Sequence, residues 1–192
     1  PNDAGYLVKA CRAGAFALAT VCLGLVAPAA AQVVDPGLVI QTIPTSLWSP
    51  ASPDPSGITY RPDTGELLTC DSEVDEMSIF AGVNVWTHSN TGVVNSTATT
   101  TSFGNEPTGI AFDPAGGRLW ITDDNAEVIY QVDLGPDGLF GTADDFVFDI
   151  DGLFDAGCDD LEDVTYDNVN DRLFVASRVG LELCEISPGP NG

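Results

Sequence analysis

An internal repeat constrains the fold of this chain more than any other feature. The segment from Pro55 to Asp71, PSGITYRPDTGELLTCD, aligns without gaps with PTGIAFDPAGGRLWITD from Pro107 to Asp123, and seven of the paired positions are identical. A second alignment places the segment from Glu106 over the segment from Asp160 and pairs Arg-Leu with Arg-Leu. A period of about 50 residues is typical of a chain built from one repeated supersecondary unit.

Each repeat carries short strands separated by turns of Pro, Asp, Asn and Gly. First strands are predicted at Gly57 to Tyr60, Gly109 to Phe112 and Asp163 to Tyr166, and second strands at ELLTCD, RLWITD and RLFVAS. Further strands are predicted at 128–133, 146–150 and 183–187, whereas the stretch GVNVWTHSNTGVV has an irregular pattern. No amphipathic helix is indicated after Ala31.

Four short strands per repeat predict an all-β fold, a partial β-propeller of about three four-stranded blades. A flat meander or a sandwich is the alternative. Closed propellers usually have about four to eight blades, and three would leave open sheet edges. We therefore interpret the chain as a fragment of a larger propeller, with a half that closes by dimerising as the alternative. The predicted blades span about 53–104, 105–157 and 158–192, the last truncated, after an N-terminal lead-in at 32–52.

The segment 1–31 has the pattern of a secretory signal peptide. Lys9 and Arg12 precede an apolar run, and Ala29-Ala30-Ala31 forms a cleavage site before Gln32. A membrane anchor is the alternative, because the run approaches the ~20 residues of a spanning helix. Pro28 and its small neighbours favour cleavage, so we expect a secreted or periplasmic protein without a stable membrane span.

Three cysteines follow the predicted cleavage site, namely Cys70, Cys158 and Cys184. An oxidising compartment would allow one disulfide and leave one thiol. The sequence does not choose the pair.

The charge balance excludes some partners. The chain has 29 Asp and Glu against 6 Lys and Arg, a net charge of -23. Nucleic acid is therefore an unsuitable partner, because binding a phosphate backbone requires clustered basic residues. Divalent cations are the natural counterions.

The segment PTGIAFDPAGGRLWITDDNAEVIYQVD resembles the repeat of the NHL and gluconolactonase-like propellers, which are of the six-bladed type. The resemblance covers roughly Pro53 to Ser187. It implies a propeller architecture, and such propellers include lactonases, esterase-like and phytase-like proteins and binding modules. The runs GPDGLFGTADD and PGPNG are also similar to repeats of secreted bacterial proteins that carry calcium-binding segments.

Acidic residues at equivalent repeat positions form a first candidate metal site. Asp54, Glu106 and Asp160 each lie just before a first strand, so a propeller would place them at the mouth of one channel. The loops after the second strands add further acids, Asp71, Glu73, Asp75, Asp123 and Asp124. The resemblance implies a divalent metal here that polarises a substrate carbonyl and activates water. A solvated acidic rim is the alternative.

A second candidate is the glycine-containing loop from Asp133 to Asp145. Asp133, Asp137, Asp144 and Asp145 supply hard oxygen ligands for a calcium ion. The loop departs from the EF-hand template at positions 3 and 12, and a polar hairpin loop is the alternative. We expect it at the end opposite the channel mouth, where a cation would stabilise the fold.

Two functions are compatible with these patterns. The chain has no GxSxG, HExxH, CxxC or phosphate-loop motif, and its single histidine is His88. The first function is a secreted, calcium-stabilised propeller module that binds an extracellular ligand or serves as a scaffold in a larger exported protein. The alternative is a metal-dependent lactonase or esterase that uses Asp54, Glu106 and Asp160 as ligands.

Overall fold

The computed structural model describes residues 37–72, 78, 81–150 and 158–188. The predicted signal peptide lies outside these residues, as do Glu73 and Asp75. The chain divides into two units, 1–38 and 39–192, and every strand below belongs to the second. No helix in the described ranges has the length and apolar character needed to span a membrane.

The described residues fold into three antiparallel sheets after a 3-10 turn at Thr45–Leu47. The first sheet contains β1 (Pro55–Arg61), β2 (Glu66–Asp71), β3 (Val85–His88) and β4 (Val94–Ala98). The second contains β5 (Pro107–Asp113), β6 (Arg118–Asp123), β7 (Val128–Asp133) and β8 (Phe146–Asp149). The third contains β9 (Leu161–Asp167), β10 (Arg172–Ser177) and β11 (Glu182–Ile186). The prediction of an all-β fold is confirmed for the described residues.

The predicted second strands match β2, β6 and β10 residue for residue, while the first strands are longer than predicted at both ends. The irregular interpretation of the stretch around His88 is wrong, because Val85–His88 and Val94–Ala98 form two strands there. A bulge between Thr87 and His88 shifts the pairing of β3 with β4 and breaks the alternation that would have marked a strand.

The sheets stack face to face with the same polarity. We call the face that carries Ile58, Ile110 or Val164 the leading face of its sheet, and the opposite face the trailing face. One core cluster joins the trailing face of the first sheet, with Leu68 and Cys70, to the leading face of the second. The other joins the trailing face of the second sheet to the leading face of the third, and includes Trp120, Ile129, Val164, Leu173 and Val175.

The first strands of the three sheets lie side by side, β1 against β5 and β5 against β9. Glycine permits this approach, because a Cβ at Gly109 would lie 2.7 Å from the Cα of Asp163. A hydroxyl bridges each junction. Ser56 Oγ donates to the carbonyl oxygen of Pro107 at 2.8 Å, and Thr108 Oγ1 donates to that of Leu161 at 2.5 Å.

The segment before each of the first two sheets covers the outer part of that sheet's leading face. Trp48 lies 5.8 Å from Trp86, ring centre to ring centre, and Phe103 lies 4.9 Å from Tyr130 in the same way. Trp86 and Tyr130 occupy corresponding places on β3 and β7, paired with Thr69 and Ile121. The predicted lead-in thus carries, in its last residues, an integral part of the first repeat.

Cys158 and Cys184 form a disulfide that ties the segment before β9 to the edge strand β11. Cys70 is a free, fully buried thiol in the core between the first two sheets. Its burial raises the pKa of the thiol to about 12. A neutral Cys70 therefore serves as a small apolar side chain.

Candidate functional site

The three acids predicted at the channel mouth occupy equivalent places in the structure. Asp54, Glu106 and Asp160 each directly precede the first strand of a sheet. Asp124 and Arg178, which follow β6 and β10, are bonded through their backbone N–H groups to the carbonyl oxygens of Glu106 and Asp160. The starts of the first strands and the ends of the second strands therefore form one end of the sheet stack, called here the acidic end.

Two strand-end aspartates hold the backbone at the acidic end. Asp71 Oδ2 accepts a hydrogen bond from the backbone N–H of Asp54 at 2.9 Å, and Asp123 Oδ2 accepts one from Glu106 at 2.9 Å. Asp71 and Asp123 are each 1% exposed. We expected both side chains at the mouth of the channel. They are instead buried, and each fixes the loop that leads into the first strand of its own sheet.

The third sheet replaces this anchor with Ser177, whose hydroxyl donates to the carbonyl oxygen of Asp159. Asp160 forms an ion pair with Arg178, whose Nε lies 2.8 Å from its Oδ2. Arg178 also lies 3.3 Å from a carboxylate oxygen of Glu162. The sequence analysis did not identify Arg178 as a site residue. The signal was present, because the alignment pairs this basic residue with Asp124 of the second repeat.

Asp124 and Asp160 share a hydrogen bond across the junction of the second and third sheets. Desolvation, the bond to Asp160 and the negative charges of Asp160 and Glu162 raise the pKa of Asp124 to about 6. The hydrogen bond from Asp124 and the Arg178 guanidinium lower the pKa of Asp160. Asp124 is thus the protonated donor of the pair in mildly acidic solution, and its titration reaches the physiological pH range.

A groove of about 210 Å³ runs along the first strands, with all three of them contributing to its wall. Among the described strands, each of these pairs with a neighbour on one side only, so backbone N–H and C=O groups line the groove. Its lining residues are Ile58, Thr59, Ile110, Ala111, Phe112, Asp163, Val164, Thr165 and Tyr166. The groove offers hydrogen bonds to water or to a small polar ligand.

The loop from Asp133 to Asp145 is closed by its own hydrogen bonds. Asp145 Oδ2 accepts from the backbone N–H groups of Gly141 at 2.7 Å and Thr142 at 3.1 Å. Asp144 Oδ1 accepts from Thr142 Oγ1 at 2.6 Å, which lowers the pKa of Asp144. Asp137 Oδ1 accepts from the backbone of Leu139 at 2.8 Å.

This loop lies at the end of the stack away from Asp54. Arg61, the last residue of β1, donates to the carbonyl oxygen of Gly138 at 2.6 Å and lies over the ring of Phe112. Asp133 ends β7 and accepts a hydrogen bond from Gln131 Nε2 at 2.7 Å. The loop therefore bridges the first and second sheets.

Within the described residues, no group of three or more His, Cys, Asp or Glu side chains is arranged to hold a metal ion. At the acidic end, the carboxylate of Asp160 is bonded to Arg178 and Asp124. In the loop, the carboxylates face backbone N–H groups and Thr142. In this arrangement the carboxylates are occupied by protein groups, and both metal sites stay predictions.

His88 is buried on β3, with Nε2 2.9 Å from Thr69 Oγ1 and Nδ1 2.9 Å from the carbonyl oxygen of Ser89. Its ring centre lies 4.9 Å from that of Trp48. Trp86 and Trp120 are fully buried. His88, Trp86 and Trp120 are therefore part of the buried interior.

No protein-family model and no curated protein matches this sequence. Among the solved structures that are similar to part of this chain, two are described here. Hydrazine synthase from Kuenenia stuttgartiensis matches 80% of this chain at 14% identity and a TM-score of 0.46. A chain of a nidogen/laminin complex matches 68% at 18% identity and a TM-score of 0.43. This chain spans 36% and 47% of the length of those two chains.

Proposed function

We propose that this chain is part of a secreted β-propeller of the NHL-like type that acts as a binding or scaffolding module. Repeated stacking of leading on trailing faces, with the first strands side by side, supports successive blades around a common axis. The disulfide between Cys158 and Cys184 is compatible with an oxidising compartment.

One observation carries the binding role. The buried anchors Asp71 and Asp123 are occupied by the backbone, whereas Asp124, Glu162 and Arg178 form a charged surface that crosses two sheets. Acids outnumber the base on this surface, and the whole chain carries a net charge of -23. The ligand class that suits such a surface is a cationic segment of another molecule.

A titration with hexalysine, followed by amide NMR shifts of the full chain, tests this role. The proposal predicts salt-sensitive shifts centred on residues 124, 160–162 and 178, and weaker binding for Glu162→Gln. Glu182→Gln removes an exposed acid on β11 and serves as the control. Shifts spread evenly over all acidic residues would contradict a defined site.

Calcium stabilisation of the Asp133 to Asp145 loop is a separate part of the proposal. Its support is the number of carboxylates on one short loop and the charge of the chain. Binding would require Asp144 and Asp145 to turn from Thr142 and the backbone towards the ion. Thermal unfolding in EDTA, magnesium and calcium tests it. We expect a calcium-specific rise in Tm that the double variant Asp144→Asn/Asp145→Asn lacks, and an unchanged Tm would refute it.

One observation favours the alternative, a metal-dependent lactonase or esterase. The carboxyl group of Asp124, the residue that directly follows β6, has a pKa of about 6. This pKa suits a general acid or base. Hydrolysis of δ-valerolactone and p-nitrophenyl acetate, with and without calcium, tests this activity. The alternative predicts turnover that Asp124→Asn removes, and it fails if the wild-type chain with calcium shows none.

A further inference from the structure

The outer faces of the sheet stack carry exposed apolar residues at both ends. On the leading face of the first sheet, Ile58 is 62% and Tyr60 55% exposed. On the trailing face of the third sheet, Phe174 is 38% and Leu183 81% exposed. Each face also has an apolar cavity, of about 230 Å³ and about 320 Å³ respectively.

The repeat shows what these faces are built to contact. In the second sheet, the equivalents of Ile58 and Tyr60 are Ile110 and Phe112, which are 2% and 7% exposed because the first sheet covers them. The equivalents of Phe174 and Leu183 are Trp120 and Ile129, which are both fully buried under the third sheet. The two free faces therefore correspond to the two sides of an interface that already occurs twice within the chain.

We propose that a second copy of this chain docks head to tail, with the trailing face of its third sheet on the leading face of the first sheet. The contact would continue the sheet-to-sheet interface of the chain itself, pairing Phe174 and Leu183 of one copy with Ile58 and Leu67 of the other. Because the two faces differ, the contact is heterologous, and it gives a closed ring or an open array. The inference rests on the stacking and is independent of the ligand in the proposed function.

The described part of the segment before β1, residues 37–54, leaves Ile58 on this face exposed. Trp48 lies on the outer part of the first sheet, over Trp86, in the way that Phe103 lies on Tyr130. The second sheet carries Phe103 and still accepts the first sheet on the same face. Ile58 and Leu67 remain at the cavity on the first sheet's leading face.

Two features weaken the docked contact relative to the contacts within the chain. Asp163 replaces the glycine of the other two repeats, so a docked sheet lies farther from β9 than β9 lies from β5. Each copy also carries a net charge of -23. Raising the salt concentration screens this repulsion, so we expect stronger association at about 0.5 M than at about 0.05 M NaCl.

Sedimentation equilibrium of the full chain and two variants tests the proposal. Ile58→Asp places a charge on the leading face and Leu183→Asp on the trailing face, both at positions exposed in the single chain. We expect each variant alone to associate at least about tenfold more weakly than the wild type. Val169→Asp, at an 83% exposed turn position, is the matched control and should associate like the wild type. Far-ultraviolet circular dichroism checks that all variants are folded.

Mixing the two variants distinguishes head-to-tail docking from other modes. One intact trailing face and one intact leading face then meet, so the mixture should form a one-to-one dimer while each variant alone does not. A wild-type chain that stays monomeric at both salt concentrations overturns the proposal. Association that persists in both variants, or that mixing fails to restore, overturns it as well, since the contact would then lie elsewhere.

Discussion

Replacing Gly109 with alanine tests the close approach of the first strands. The added Cβ would lie 2.7 Å from both the Cα of Asp163 and the backbone nitrogen of Val164. Ordinary carbon contacts are about 3.5–4.0 Å, so β5 and β9 must separate by roughly 1 Å. Thr122 Oγ1 would also lie at 2.7 Å and belongs to a side chain, but the two backbone atoms lie within a sheet and cannot turn aside.

Overpacking of this kind costs about 1–3 kcal/mol. For a chain of this size, 1 kcal/mol corresponds to about 2–4 °C, so Gly109→Ala should lower Tm by about 2–12 °C. Thermal unfolding followed by circular dichroism measures the shift. Gly180→Ala is the control, because the nearest atoms to its Cβ would be side-chain atoms of Glu182 and Ser177 at 3.3 Å and not backbone atoms. A Gly109→Ala variant that melts within about 1 °C of the wild type would refute the close packing of β5 on β9.

Three further changes probe the third sheet and its junction with the second sheet. The pKa of Asp124 is raised in the folded state, so its contribution to stability is present near pH 4 and lost as the pH rises through about 6. Asp160, whose pKa is lowered, contributes in the opposite sense, and its contribution is lost as the pH falls. Asp124→Asn should therefore raise Tm near pH 7, and the fall in Tm as the pH rises above about 5 should be smaller in the variant than in the wild type. An equal fall in Tm in both proteins would contradict this prediction. Replacing Cys158 and Cys184 with serine opens a link across 26 residues and should cost about 3.5 kcal/mol in urea unfolding, whereas an unchanged midpoint would count against the disulfide. Thr108→Val removes the donor to Leu161 and should cost about 1 kcal/mol, while a neutral effect would show that the bridge adds no stability.

Much of the fold could be predicted because the repeat aligns residues that occupy equivalent positions in their strands and are buried alike. Leu119 and Leu173 align and are both fully buried, and each second strand follows a turn that the composition marks clearly. The outer strands of the first sheet were harder to predict. Their pairing depends on a bulge at His88 and on cover from Trp48, which are tertiary features that a local pattern does not contain.

The sequence predicted where the acidic residues of the candidate site lie relative to the strands, but not which groups they contact. The alignment gave Asp54, Glu106 and Asp160 equivalent places, and in the structure each directly precedes a first strand. The alignment could not show that Asp123 turns inward to the backbone. The residue type alone does not distinguish an aspartate that anchors a loop from one that faces solvent. The pair formed by Asp160 and Arg178 depends on a departure of the third sheet from the repeat, and an alignment of equivalent positions does not predict such a contact.

The order and polarity of sheet stacking is the central claim of this account, and methyl and indole NOEs of the full chain test it directly. We predict cross-peaks between Leu68 and Ile110 across the first junction, and between the Trp120 indole and the methyl groups of Val164 and Leu173 across the second. Cross-peaks from Trp120 to Leu68 in place of those to Val164 and Leu173 would reverse the faces of the second sheet and contradict the account.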